Sequence, residues 1–561
     1  MTEPMMNANF EGSNPKLQQV KYINLLPEGK ISNYTQNNRI DFKPDSATAA
    51  YFDGKQSYLN IEVSNTSTFQ QGNGNAPTAS PPMCFPAHVG ANAMINRLLI
   101  RAEQNGQVIE DLEGYNQLHG IKNGYTHDSD VFNTLGRISG VVGRTCEPMN
   151  QLVNNVALNY FLPNGQVQAD GTILGGTTAT TAQFCLPIEA GLFSAFANEH
   201  HVVPNLDVPL HLQFFLEKNN VAMQVMNSLF YRTSNVNGVS VVDAYGKNPL
   251  QGMNVTKTGA VLLVDTNVLD TSLVYNGEAW DASKCAFRVG QSISDGTDTS
   301  VITEVKTNQG VGNNQLQITV DVAFSAGDGN IVVQMAPINR AYEINKVELK
   351  LLVTIPDDPT MRMIRTAVAR GISFTSVQLY KISTASQLKN SVLDIPESLT
   401  MCKSILSLPC NQANLEALDT TNSYIYCKAD PNNNTKYQWQ IQNTLIPNLA
   451  VDTNYVTNAK SDNCIYFGQT SMALRHMIQV QALGDSAAVD KISDRDLGLV
   501  FFYPISLSPK GRSFNLIDSA PQLRIENNAA VVANIPAQLF HNYVVHTRVL
   551  QSSEMGATVQ F

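Results

Sequence analysis

From Arg340 to Lys381 the hydrophobic pattern alternates, breaks, and alternates again. Val347, Leu349, Leu351, Val353 and Ile355 interleave with Lys346, Glu348, Lys350, Leu352 and Thr354. That period of two predicts a strand with one apolar face, ended by Pro356. Asp358 as N-cap, Pro359 at the first helical position and Gly371 just past the end then bracket a short helix. Met361, Ile364, Ala367 and Val368 share one helical face, opposite Arg362, Thr366 and Arg370. Ile372-Ser373-Phe374 returns to β. With β-rich sequence on both sides, this unit reads as the hinge between two similar β halves.

The same patterning continues outward from the hinge. Upstream, Ile40-Asp41-Phe42 and a strand opened by Tyr58, with Leu59, Ile61 and Val63 on one face, precede an irregular Gly/Asn/Pro loop at Gln70–Gly90. Met94–Tyr115 predicts a hairpin, with Asn105-Gly106 as a two-residue type I′ turn. Further Asn-Gly and Asp-Gly pairs begin at Asn123, Asn164, Asp170, Asn237, Asn276, Asp295 and Asp328. Such punctuation favours an antiparallel β protein. Short helices are expected near Val131–Leu135 and Pro148–Val156, and a helical turn at Gly191–Asn198. Leu210, Leu212, Phe214 and Leu216 alternate as a half-buried strand. Short β segments within 220–335 (Val261–Val264, Leu316–Val322, Ile331–Met335) read as an insertion inside the first half.

Downstream, strands are expected at Ser423–Tyr426, Tyr437–Ile441, Leu499–Tyr503, Gln522–Glu526 and Asn542–Leu550. A helix is expected at Ser471–Leu483, with Met472, Leu474, Met477, Val480 and Leu483 turned inward. A faint internal echo supports duplication. Pro209-Leu210-His211-Leu212-Gln213 is matched by Pro521-Gln522-Leu523-Arg524-Ile525-Glu526, and Tyr342-Glu343-Ile344 by Tyr543-Val544-Val545, in the same order in each half.

Composition narrows the function classes. The chain has 561 residues, 43% of them hydrophobic and only 15% charged, with formal net charge −10. An acidic balance without a basic cluster argues against specific nucleic-acid binding. No apolar run reaches the ~18–20 residues of a transmembrane segment, and the polar first residues carry no secretory signal. Residues 1–30 read as an arm whose ordering requires a partner or a docking groove.

Cysteines 84, 146, 185, 285, 402, 410, 427 and 464 form no CxxC pair, so buried thiols in a reducing compartment are expected rather than zinc. Cys402 and Cys410 are spaced to approach across a hairpin. His200-His201 lacks a third ligand at recognisable spacing. Asp295, Asp298, Asp494 and Asp496 miss the calcium-loop pattern. Gly310-Val311-Gly312 reads as a turn, not a phosphate cradle. No nucleophile elbow, Walker loop or dinucleotide fingerprint appears. The sequence therefore names no catalytic, cofactor-binding or metal-ligating residue, and no enzyme is expected.

Ala50–Val63 (AYFDGKQSYLNIEV), Gly106–Leu118 (GQVIEDLEGYNQL) and Pro209–Glu217 (PLHLQFFLE), continued in order by Tyr342–Ser376 and Asn542–Gln551 (NYVVHTRVLQ), resemble major capsid proteins of small double-jelly-roll DNA viruses of the Polinton-like and virophage type. The resemblance implies an all-β fold of two consecutive jelly-roll sandwiches side by side, with loop insertions and a few short helices. Its expected division is an arm over 1–30, a first jelly roll over 31–356 containing the 220–335 insertion, and a second over 357–561. It implies a homotrimer forming a pseudo-hexagonal capsomer. Partners would be neighbouring capsomers and penton and minor capsid proteins, and the location the virion. Long loops at one end would form outer towers. The insertion departs from the pattern the resemblance leads one to expect. A β-rich viral spike or carbohydrate- or receptor-binding protein is the alternative.

Overall fold

The structure is a computed structural model. It describes residues 17–29, 33–69, 83–85, 89–126, 137–140, 181–196, 202–225, 232–236, 239–243, 253–265, 292–295, 297–309, 315–325, 330–335, 338–395, 399–410, 434–452, 462–477, 502–507, 514–517, 520–527, 538–553 and 556–560, with isolated residues and two-residue strands between them.

Among the described residues sixteen strands build the frame, and the short segments Val202–Val203 and Gly556–Gln560 add to it. In the first half they are β1 (Leu17–Leu25), β2 (Arg39–Phe42), β3 (Phe52–Asn65), β4 (Ile95–Ala102), β5 (Val108–Glu113), β6 (Thr181–Pro187), β7 (Leu210–Leu216) and β8 (Tyr342–Pro356). The second half supplies β9 (Ile372–Thr384), β10 (Asn390–Asp394), β11 (Cys402–Cys410), β12 (Asn434–Ile441), β13 (Thr444–Asp452), β14 (Tyr503–Ser506), β15 (Gln522–Asn527) and β16 (Gln538–Ser553). The first half folds into two antiparallel sheets with strand orders β1-β8-β3-β6 and β2-β7-β4-β5. The second half repeats both orders, shifted by eight: β9-β16-β11-β14 and β10-β15-β12-β13. Each half is therefore a jelly roll, and the chain is a double jelly roll. The sequence echo sits where this scheme demands it, since β7 and β15 hold matching places, as do β8 and β16.

The hinge has the predicted form. Val347, Leu349, Leu351 and Val353 of β8 are buried, and Pro356 closes the strand. Helix α2 covers Asp358–Arg370 (α1, Tyr115–Thr126, precedes it). Its cap is Asp357, one residue earlier than expected, whose carboxylate accepts from Thr360 N at 3.0 Å. Ile364 and Val368 are buried and Arg362, Thr366 and Arg370 exposed.

Several expectations change. Leu17–Leu25, expected within the arm, is strand β1, because the edge of β8 supplies the docking site that such a segment needs; Tyr22 lies opposite Leu352. The turn after β4 is longer than a two-residue type I′ turn. Gly106 N donates to Ala102 O at 2.9 Å, and only Gly106 of the pair has positive φ, +69°. Asn123-Gly124 lies inside α1 rather than in a turn, packing having overridden local preference. The downstream helix α3 spans Asp462–Leu474, with Met472 exposed and Leu474 and Met477 buried. Cys402 and Cys410 stand at the two ends of β11 and do not face each other across a hairpin. The helices expected near Val131–Leu135 and Pro148–Val156, the strand at Ser423–Tyr426, His200-His201, Asp494, Asp496 and Gly310-Val311-Gly312 lie outside the described residues.

The long connections of the first roll meet one another. Met83–Cys84, between β3 and β4, pairs with Gln224–Val225 and with Tyr160–Phe161. Thr68–Phe69 pairs with Ile338–Asn339. The 220–335 insertion makes its own antiparallel sheet, extended by Ile173–Leu174 and Gln166–Val167 from the β5–β6 connection. Leu262, Ile293, Ile302 and Ile318 are buried in it. Three connections that leave the same end of a jelly roll are thus tied into one β-rich crown.

Candidate functional site

The most elaborate polar chemistry among the described residues lies at the seam where β5 of the first roll runs beside β9 of the second. Glu110 of β5 is fully buried. Its carboxylate accepts from Gly191 N at 2.9 Å, Leu192 N at 3.1 Å and Ser376 Oγ of β9 at 2.8 Å. Burial pushes the acid's pKa up, against the pull of these donors and of the Arg548 guanidinium. The Gly191 turn reaches the carboxylate only because it has no side chain: a Cβ there would stand 1.8 Å from Thr375 O.

Arg548 of β16 crosses the same seam, donating from Nη1 to Ile109 O at 2.7 Å and from Nε to His546 Nε2 at 3.0 Å. Burial lowers its pKa, opposed by Glu110 and Asp111. His546 must accept on Nε2, so it is neutral, and burial holds its pKa at about 3. Further along, Gln117 Oε1 lies 2.6 Å from the Tyr543 hydroxyl and 2.5 Å from His541 Nδ1. Lys381 of β9 pairs with Glu113 of β5. Beside these groups opens a cleft of about 370 Å³, lined by Val108, Asp111 and Glu113 of β5 and Gln378 and Leu379 of β9, with Leu399 and Arg548.

A second buried cluster lies under α1. Glu189 is 3.0 Å from Lys122 Nζ and 3.6 Å from His119 Nδ1. Burial depresses His119 to about 4. The first cluster ties the Gly191 turn to β5 and β9, and the second ties α1 to the segment that follows β6. Among the described residues no group of three or more His, Cys, Asp or Glu could hold a metal ion, and no helix is long and apolar enough to cross a membrane. Asp295 and Asp298 serve a turn: Asp298 N donates to Asp295 Oδ1 at 2.7 Å, and Ser325 N donates to Asp298 Oδ2 at 2.6 Å.

Sequence reasoning missed Glu110 and Arg548. The available signal was phase. Glu110 lies in phase with Val108 and Leu112, and Arg548 with Val544 and Leu550, so each charge occupies an apolar register position on its strand. A charge in that position is excluded from water unless something pairs with it.

No family model and no curated protein matches the chain. Among solved structures it is similar to the Faustovirus major capsid protein, with a TM-score of 0.51 and 8% identity over 96% of this chain and 92% of that one. PBCV-1 VP54, fitted into a reconstruction of the virophage Sputnik, superposes with a TM-score of 0.45 at 10% identity, covering 98% of both chains. The Sputnik virophage structure gives 0.44 at 11% identity over 97% of this chain and 89% of that one. What is shared with the first of these is the fold.

Proposed function

We propose that this protein is the major capsid protein of an icosahedral DNA virus, trimerising into pseudo-hexagonal capsomers that tile the virion shell. The observation that carries the reading is the repetition of one eight-strand scheme in two rolls locked side by side. The full-length likeness to the Faustovirus major capsid protein supports it. Two similar rolls per chain make six similar bodies in a trimer, which suits a hexagonal lattice. The role is structural rather than enzymatic. The first roll (31–356, together with β1), with its crown, and the second (357–561) are the two building units. The residues before β1 act as an arm toward neighbouring capsomers and penton and minor capsid proteins.

Obligate interfaces of this kind commonly bury more than about 2,000 Å², so the trimer should persist on dilution. Sedimentation of the purified protein across salt and pH tests this. A single trimeric species is expected; a monomer under every condition, with binding to a glycan array, would replace the reading by that of a β-rich attachment protein.

A further inference from the structure

The second roll ends in a hairpin that lies against the first. Strand β17 (Gly556–Gln560) pairs antiparallel with the end of β16, Ser553 opposite Gly556 and Val549 opposite Gln560. Ala557 and Val559 pack on the core that also holds Phe42 and Ile109 of the first roll. Side chains fasten the hairpin at three points. Ser552 Oγ donates to Asp207 O, ahead of β7, at 3.1 Å, and Gln551 Nε2 to Arg370 O, at the end of α2, at 3.0 Å. The shortest of the three comes from the turn after β4: Asn105 Nδ2 donates to Ala557 O at 2.7 Å, 452 residues away in sequence.

Asn105 belongs to the Asn105-Gly106 pair, and its amide makes two different bonds. Oδ1 accepts from Gln107 N at 3.1 Å and shapes the turn. Nδ2 holds the hairpin. Gly556 leaves the room for it: its φ is +106°, and a Cβ there would stand 2.8 Å from Asn105 Nδ2. Both residues of the pair are exposed. Asparagine followed by glycine is open to deamidation, because glycine puts no side chain in the way of its own backbone nitrogen. Gly106 N attacks Asn105 Cγ, the Cγ–Nδ2 bond breaks, and Nδ2 leaves as ammonia with the proton of the Gly106 amide. Water then opens the cyclic imide to aspartate or isoaspartate, with no redox step. In the folded chain both nitrogens are engaged, Gly106 N with Ala102 O at 2.9 Å and Nδ2 with Ala557 O. The contact thus shields the amide that makes it.

We propose that Asn105 clasps the C-terminal hairpin of the second roll to the first roll, and that deamidation at Asn105 opens this clasp irreversibly. Aspartate keeps an oxygen for Gln107 N, so the turn survives. It also sets an anionic oxygen where an N–H faced Ala557 O, which turns a hydrogen bond into a repulsion. Isoaspartate lengthens the backbone of the turn as well. The contact lies within one chain, so it stands apart from the capsomer reading.

The full-length protein tests this in three forms. Asn105→Asp should speed hydrogen exchange across Gly556–Gln560 by about tenfold or more, while Asn434–Ile441 in the second roll exchanges as in the wild type. Wild-type protein held at mildly alkaline pH should gain aspartate or isoaspartate at position 105, read by peptide mass mapping, and the converted fraction should show the same faster exchange. Asn123, buried within α1, should keep its amide. Gly556→Ala, which crowds Nδ2 out of its place, should loosen the hairpin and hasten deamidation at Asn105. An Asn105→Asp chain that protects Gly556–Gln560 as well as the wild type does would overturn the clasp. A wild type that keeps its amide at 105, or loses it without loosening the hairpin, would overturn the switch.

Discussion

The two rolls share a strand scheme but not an interior. The second roll has a sandwich core of its own, in which Trp439, Tyr437, Tyr503, Phe540, Val544 and Leu523 pack together; Tyr437 and Tyr503 lie 5.1 Å apart. The core of the first roll is not closed in this way. Its cluster runs from Phe42, Leu59 and Phe214 through Ile364 and Val368 of α2 to Phe374, Tyr543 and Val545 of the second roll. Their loops differ as sharply. The connection from the seventh to the eighth strand spans 217–341 in the first roll and 528–537 in the second. A jelly roll fixes where strands lie and leaves open what its ends and edges do. Here one roll carries the crown and has its core only in the shared cluster, while the other contributes to that cluster and keeps a sandwich core of its own.

That contrast can be broken most forcefully at α2, whose buried face belongs to the shared cluster. Ile364→Asp combined with Val368→Asp places two unpaired charges where both side chains are buried. The cost should exceed the marginal stability of a domain, so soluble folded protein should disappear. Recovery of normal trimers would make the helix a passive linker.

Next in size is Trp439→Ala, which should cost about 3–5 kcal/mol and lower only the calorimetric transition of the second roll. Leu349→Ala, at about 2–5 kcal/mol, should shift both transitions, because its cluster crosses the seam. Identical patterns from the two variants would erase the distinction between a shared and a private core.

Glu110→Ala tests the seam itself. It leaves three donors without their acceptor and removes one of the two carboxylates that offset the buried Arg548 guanidinium, for a loss of about 3–5 kcal/mol; Glu110→Gln, which keeps acceptor capacity, should lose less. Acid should act there too. His541 and His546 are held at about 3 and His119 at about 4 by burial, whereas an unfolded chain takes up these protons near pH 6.5. The unfolded state therefore binds more protons below that pH, and stability falls as pH drops from about 6.5 toward 4. Glu110, with its raised pKa, works in the opposite sense, since protonation relieves its burial cost. His476, held at about 4, adds to the histidines, while Asp207 and Glu217, also raised by burial, add to Glu110. Four histidines against three acids set the net direction. Melting temperature followed from pH 7 to 4.5 should fall, and fall less in His541→Gln; a flat profile would contradict the buried neutral histidines.

The smallest effect should come from the crown. Replacing 226–337 with a short Gly-Ser linker should leave the transition of the second roll where it is, as its core touches none of the described residues of that sequence. A collapse of both rolls would make the crown part of the frame.

What was legible in the sequence follows the same division. Strands with one wet and one dry face declared themselves: β7 through Leu210, Leu212, Phe214 and Leu216, and β8 through Val347 to Val353. The capped hinge helix was legible because its signals are local. Strand β1 was harder to read because one face carries exposed Val20, Tyr22 and Asn24 and the other begins with exposed Lys21 before Ile23 and Leu25 pack on the core, which leaves little periodicity. The offset of α3 has a similar cause, since Met472 fits an apolar stripe in sequence yet faces outward. Glu110 and Arg548 were illegible because their partners lie across the seam, hundreds of residues away, where only tertiary structure brings them together.

The central claim is that two like rolls in each chain make a six-bodied particle from three chains. Negative-stain imaging of the purified protein tests it most directly. Uniform particles with a hexagonal outline, built from three 61.3 kDa chains, are predicted. Single two-lobed molecules at every concentration and pH would contradict it.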